Sequence, residues 1–404
     1  MSVQQHKLAK GEWKPFGKVE LRMTYASVDK LQSALATEVF HYAKDSKKAA
    51  GRALGTMIEL VTFYLLKDWG LEDSIRIEKG LIEYRNAQIS HNVEYTLHPV
   101  MSRKKFIAPH VLPLSSTKIL GIEDLKKSFN LADFQKISSN LISTNGILKN
   151  SCLLGRGEIS SLVAVMDKYS AAGVAFSVIE QFEKPYAMIE CKRVGVEDGM
   201  KKGPQTIEKA KQGAYVAKMV SSLQKLRNYD GQVYGFLPLD KGKHKFDIYE
   251  TILKEVIDSS NLELYKDFIL TIGIVSNHGN WFTSDNPNKE LLVLSDAYDW
   301  LLFLTDNGLA TFIEELLLNP KPQYKAARNA FISSYSSDDA GIKKSGKNQF
   351  TKTQIAIEAD AAIQDYFRDN RKGIEGWFNI ITPAKRPISQ LRSEIASLAA
   401  KKWK

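Results

Sequence analysis

Glu190 and Lys192 close the stretch Tyr186-Ala187-Met188-Ile189-Glu190-Cys191-Lys192, and their types and spacing are suited to chemistry. The stretch reads as a strand. Strand side chains alternate with period two, so residues two apart project from one face. A carboxylate and an ammonium then stand side by side at the exposed end of the strand. A metal-binding carboxylate next to a cation that can handle a proton is what phosphodiester hydrolysis requires. A second apolar run, Val174 to Ile179, precedes it, with Glu183-Lys184-Pro185 as a turn between them. The two runs are expected to pair as a β-hairpin.

With these residues in place, the segment from about residue 155 to 295 resembles the PD-(D/E)xK nucleases, and within them the type II restriction endonucleases. The resemblance implies an α/β fold, a PD-(D/E)xK (restriction-endonuclease-like) core with a mixed β-sheet flanked by helices. It also implies Mg²⁺ held by an Asp on the first hairpin strand and by the Glu of Glu-x-Lys, helped by the carbonyl between Glu and Lys. Carried onto this chain, the ligands are Glu190 and the carbonyl of Cys191, with Lys192 positioning or activating the water. Mg²⁺ suits so sparse a set, because it takes oxygen ligands, keeps several waters and needs one or two carboxylates beside substrate phosphate oxygens.

The first strand, Gly173-Val174-Ala175-Phe176-Ser177-Val178-Ile179, contains no acid. Ala175 stands where the resemblance implies Asp, which suggests an engineered or natural loss of a metal ligand. Glu180 is an alternative ligand, although its odd separation puts it on the opposite face unless a bulge intervenes. Asp167, at the end of the preceding helix, is another. Glu158 lies near the start of that expected helix. There it either reaches the metal through water, as in some family members, or compensates the helix macrodipole.

After the strand, Lys201-Lys202-Gly203 leads into a helix opened by Pro204. Its cations and free N–H groups offer a phosphate site. Gln205, Lys209, Gln212 and Tyr215 fall along one helical stripe and are read as DNA contacts. Gln212-Gly213-Ala214-Tyr215 resembles the Gln-x-x-x-Tyr element of some nuclease relatives but is one residue short.

The elements that must position these groups follow from periodicity. Leu31, Leu35 and Val39, then Met57, Leu60, Val61, Tyr64 and Leu65, recur at helical spacing, with Gly70 as a stop. Val93, Tyr95 and Leu97 alternate as in a strand. Ile159, Leu162, Val163 and Met166 predict a helix, and Phe268–Val275 and Leu291–Leu294 predict buried strands. Trp300–Leu318 and Thr353–Phe367 predict helices, separated by a polar loop over Ser333–Gln349. Three segments are expected: 1–145, mixed and without a catalytic signature; 146–297, the nuclease core; and 298–404, helical.

The 404 residues carry a net charge of +10, which favours a polyanionic partner. Arg103-Lys104-Lys105 is a candidate phosphate contact. Cys152 and Cys191 are too few for a disulfide framework and have no zinc-site neighbours, and His278 carries no chemistry in this reading. No run of about 18 apolar residues and no apolar leader are apparent in the sequence, so a cytoplasmic location without membrane attachment is expected. Together these features predict a Mg²⁺-dependent restriction endonuclease acting on double-stranded DNA as a homodimer. The competing expectations are a DNA-binding protein on a nuclease fold that no longer cuts, and a repair or resolvase-type nuclease.

Overall fold

The structure, a computed structural model, describes residues 28–40, 46–194, 204–277, 289–335 and 349–403. It is a mixed α/β protein, and the described strands form four sheets. Six strands make the largest and are labelled in chain order: β1 (Ile75–Glu83), β2 (Asn86–Leu97), β3 (Ala187–Val194), β4 (Leu270–Asn277), β5 (Trp300–Leu304) and β6 (Phe378–Thr382). They lie side by side in that order. β2 runs antiparallel to β1 and β3, β3 to β5 are mutually parallel, and β6 is antiparallel to β5.

Both faces of this sheet are covered, which explains why its inner strands are almost continuously apolar. Helix α1 (Ser46–Asp68) shares one core with Tyr95, Leu97, Ile189, Ile272, Trp300 and Leu302. Helix α2 (Pro204–Val220) places Ala210, Ala214, Ala217 and Val220 in a second core with Met188, Val275, Leu301 and Phe303. Along β5, successive residues alternate between the two cores, as period two requires.

Helix α1 ends where the sequence predicts. Gly70 adopts φ +80°, Leu71 N–H donates to Leu66 O at 3.0 Å and Gly70 N–H to Lys67 O at 2.9 Å, so a left-handed cap satisfies the last carbonyls. By length and composition Ala49–Asp68 could cross a membrane, and 67% of that window is buried inside the fold.

Residues 100–182 leave the six-stranded sheet after β2. Most of their strands build a five-stranded antiparallel sheet, in the order Val100–Ala108, Gly173–Phe182, Ser160–Ser170, Cys152–Arg156 and Gln135–Lys136. The expected hairpin is therefore absent. Gly173–Phe182 has both edges occupied, by Val100–Ala108 and by Ser160–Ser170, and has none left for β3. Past Pro185 the chain instead crosses to β2, where Tyr186 N–H donates to Leu97 O at 2.8 Å.

Three further assignments change. The expected helix after Arg156 is the strand Ser160–Ser170, whose residues Ser160–Val165 are all buried, a two-faced burial that periodicity does not separate from a helix. Leu291–Leu294 lies in the helix Lys289–Ala297, and Trp300–Leu304 is a strand ahead of the helix Asp306–Ile313. The Thr305 hydroxyl accepts from Gly308 N–H at 3.1 Å and starts that helix. The third helix used below, α3 (Ile357–Glu375), follows a short strand, Gln354–Ala356. Segments 1–145, 146–297 and 298–404 all contribute strands to the six-stranded sheet, so none of them holds it alone.

Candidate active site

β2 and β3 begin as partners, with Leu97 opposite Ala187, Thr96 opposite Met188 and Tyr95 opposite Ile189. The next step of that register brings Glu94 to Glu190, and Glu94 N–H donates to Glu190 Oε2 at 3.2 Å. The ladder pairing stops at Ile189, so β2 and β3 diverge at this point. Glu94, Glu190 and Lys192 occupy the fork. Lys192 Nζ lies 2.6 Å from Glu190 Oε1 and 3.7 Å from Glu94 Oε1.

A second lysine enters from far along the chain. Lys352, only 5% exposed, directs its ammonium onto Glu94 Oε2 and stands 3.2 Å from Glu78 Oε1 and 3.3 Å from Glu59 Oε2. Glu59 projects from α1, and Glu78 sits on β1 at φ +52°, an irregular backbone position. Two ammonium groups thus face four carboxylates, and full ionisation leaves the cluster two charges negative. Burial raises the Glu190 carboxyl above its usual range, against the opposing pull of Lys192.

The other face of Glu190 is closed by Gly213 on α2. A Cβ there would lie 2.8 Å from Glu190 Cγ and 2.8 Å from the Tyr298 hydroxyl, so glycine lets the helix approach. Burial, with the Glu190 charge adding to it, holds the Tyr298 phenol well above its usual range. Cys191 points to the opposite side of β3, where its thiol lies 3.4 Å from the Thr62 hydroxyl of α1. Burial raises its pKa as well.

Of the residues expected from sequence, Glu190 and Lys192 are brought together as predicted. Ala175 is not with them. It lies in the five-stranded sheet, opposite Ile107 and Lys168, so its missing carboxylate has no bearing on this cluster. Asp167 and Glu180 belong to the same separate sheet. Asp167 takes the Arg103 guanidinium at 2.8 Å and the Ser177 hydroxyl at 2.8 Å, while Glu180 accepts from Ser160 at 2.8 Å and Ser102 at 3.3 Å. Glu158 is exposed in the turn between Cys152–Arg156 and Ser160–Ser170, not on a helix. Arg103 is consumed by Asp73 and Asp167, and Lys104 and Lys105 are exposed.

Lys201, Lys202, His278 and residues 336–348 lie outside the described residues, as do the side chains of Gln205 and Lys209. Gln212 is exposed on α2. Tyr215 donates to Glu83 Oε1 at 3.2 Å and meets the His91 ring edge-on at 5.8 Å, which ties it to the β1–β2 hairpin.

Glu94, Glu59 and Lys352 are not among the residues expected from sequence. Glu94 had a signal, as the lone acid among the alternating apolar residues Val93, Tyr95 and Leu97. Lys352 had none, because only the fold brings it to a residue 258 positions away (352 − 94). Among the described residues, no three His, Cys, Asp or Glu side chains converge closely enough to hold a metal by themselves. Two neighbouring carboxylates with hard oxygen donors still fit Mg²⁺, which draws its remaining ligands from water and phosphate. Compared with known proteins, the chain matches no family model, no curated protein and no solved structure.

Proposed function

We propose that the chain is a Mg²⁺-dependent endonuclease of the PD-(D/E)xK type, a type II restriction endonuclease that hydrolyses double-stranded DNA as a homodimer. The observation that carries this reading is the meeting of Glu94 and Glu190 at Lys192, where β2 and β3 part. The chain order supports it. A helix with an inward acid, Glu59 on α1, precedes a strand carrying Glu94, and the partner strand carries Glu190-Cys191-Lys192. In this reading these three correspond to the helix acid, first-strand acid and Glu-x-Lys of the resemblance, with Glu94 in the role that the resemblance gives to the first-strand Asp.

In this reading Glu94, Glu190 and the Cys191 carbonyl hold Mg²⁺, which supplies a polarised phosphoryl group and a bound water of lowered pKa. Glu190 must lose its proton to serve, and Lys192 offsets part of the cost that burial places on the ionised form. The Lys192 ammonium, partly exposed at the mouth of the fork, orients the attacking water and stabilises charge on the scissile phosphate. Gly213 and Tyr298 close the inner side of Glu190 and limit the directions from which water enters.

The net charge of +10 supports a phosphate backbone as partner. The reading of an enzyme that has lost its metal ligand no longer has Ala175 to support it. Incubating the protein with linear duplex DNA of known sequence, in Mg²⁺ and in EDTA, tests the proposal. Mg²⁺-dependent fragments of fixed length support it. Random products favour a repair or resolvase-type nuclease, and no cleavage rejects hydrolysis.

A further inference from the structure

We propose that Lys352 is the resident cation of this centre, and that a divalent ion reaches Glu94 by displacing its ammonium. The inference rests on reading Glu94 and Glu190 as a cation site, and it concerns how that site is loaded.

Three observations carry it. First, Glu94 Oε2 is sealed from solvent and faces the Lys352 ammonium. A buried carboxylate oxygen requires a cation, and a metal held between Glu94 and Glu190 would draw on the same carboxylate, whose other oxygen, Oε1, faces Lys192. Second, Lys352 is shared among Glu94, Glu59 and Glu78, so leaving Glu94 does not strip it of every partner.

Third, the backbone of Lys352 is fixed while its side chain is long. Asn150 N–H donates to Thr353 O at 3.0 Å and Asn150 Nδ2 to Lys352 O at 2.9 Å, and Gln354–Ala356 pairs with Ile147–Lys149. Displacement therefore means rotation of a four-carbon stem, not movement of the loop. Two cations held by one carboxylate repel each other at short range, so lysine and metal compete for Glu94.

The test titrates Mn²⁺ alone, without DNA, into the wild-type chain and into Lys352→Met and Lys352→Arg, reading free Mn²⁺ by paramagnetic resonance. Lys352→Met is expected to bind at least about tenfold tighter than wild type, while Lys352→Arg, which keeps the charge, shows no gain. Adding Glu94→Gln to Lys352→Met removes the gain. Equal or weaker binding by a folded Lys352→Met chain overturns the proposal.

Should Lys352→Met fail to fold, the wild-type chain decides by amine acetylation read by mass spectrometry. Lys352 is expected to be protected without metal and to become labelled in saturating Mg²⁺. Labelling unchanged by Mg²⁺ overturns the proposal. A Lys352→Met chain that gains Mn²⁺ affinity while the wild type cuts no DNA sinks the nuclease reading and leaves the competition standing. Cleavage by the wild type with unaltered Mn²⁺ affinity in Lys352→Met sinks the competition alone.

Discussion

Glu94 and Glu190 sit on neighbouring strands, and the main-chain N–H of Glu94 donates to the Glu190 carboxylate at 3.2 Å. The hydrogen bond joins a strand from the first quarter of the chain to the Glu-x-Lys strand at its middle. A site confined to residues 173–194 would not contain it.

Ala175→Asp distinguishes the paired-strand site from such a confined one. The new carboxylate would stand opposite Lys168 in the five-stranded sheet, where it can pair with that ammonium and reach none of the cluster. Cleavage is expected to stay within about twofold of wild type, as for a surface change away from the chemistry. A large gain in Mg²⁺-dependent cleavage would instead place a metal ligand at position 175.

The pH dependence follows from the raised Glu190 carboxyl. Metal binding needs the ionised form, so cleavage should fall on acidification with a midpoint above the usual Glu value of about 4.3. Stability runs the other way. An acid whose folded pKa exceeds its unfolded value contributes stability below the unfolded value and loses it as pH rises through the folded one. Glu190→Gln should therefore gain in Tm relative to wild type as pH rises from acid to neutral, while losing about 10²-fold or more in cleavage. Calorimetric scans at several pH values check the first part and a plasmid assay the second.

Gly213→Ala tests the helix contact behind Glu190. Alanine favours an interior helix position by about 1 kcal/mol over glycine. The overlap of its Cβ with Glu190 and Tyr298 costs about 1–3 kcal/mol. The net change in Tm should be modest and downward. Cleavage should fall more steeply, by about tenfold or more, because displacing a ligand by a fraction of an ångström spoils geometry that folding tolerates.

Asp360→Ala probes the frame that holds α1, and with it Glu59. Asp360, on α3, is buried and takes the Tyr64 hydroxyl at 2.8 Å, Lys67 Nζ at 3.2 Å and Gln364 Nε2 at 2.6 Å. Burial pulls the Lys67 pKa down, but Asp360 and Glu72 outweigh it and leave it raised. Removing one partner of a buried pair costs about 3 kcal/mol, to be read by urea denaturation. The loss should be constant from about pH 6 to about pH 9, since a lysine held above its unfolded pKa of about 10.4 gives up its contribution at higher pH.

The parts of this fold that were legible in sequence are those fixed by near neighbours. Glu190 and Lys192 share a face because they are two residues apart on a strand, and Gly70 ends α1 because it can adopt a positive φ. Strand partnership is not a local property. Val174–Ile179 looked like the mate of β3, yet Val100–Ala108 and Ser160–Ser170 claim both of its edges. Leu291–Leu294 and Trp300–Leu304 are apolar runs of similar length that became helix and strand, because one covers the sheet and the other is inside it. Lys352 reaches the cluster through a tertiary path that no sequence window contains.

Single-turnover cleavage of duplex DNA by wild type and by Glu94→Gln, at saturating Mg²⁺, is the most direct test of Glu94 as a metal ligand. Wild type should cut in a Mg²⁺-dependent manner, and Glu94→Gln should lose about 10²-fold or more, equal to the loss in Glu190→Gln. Cutting by Glu94→Gln at the wild-type rate would contradict a metal site built on β2 and β3.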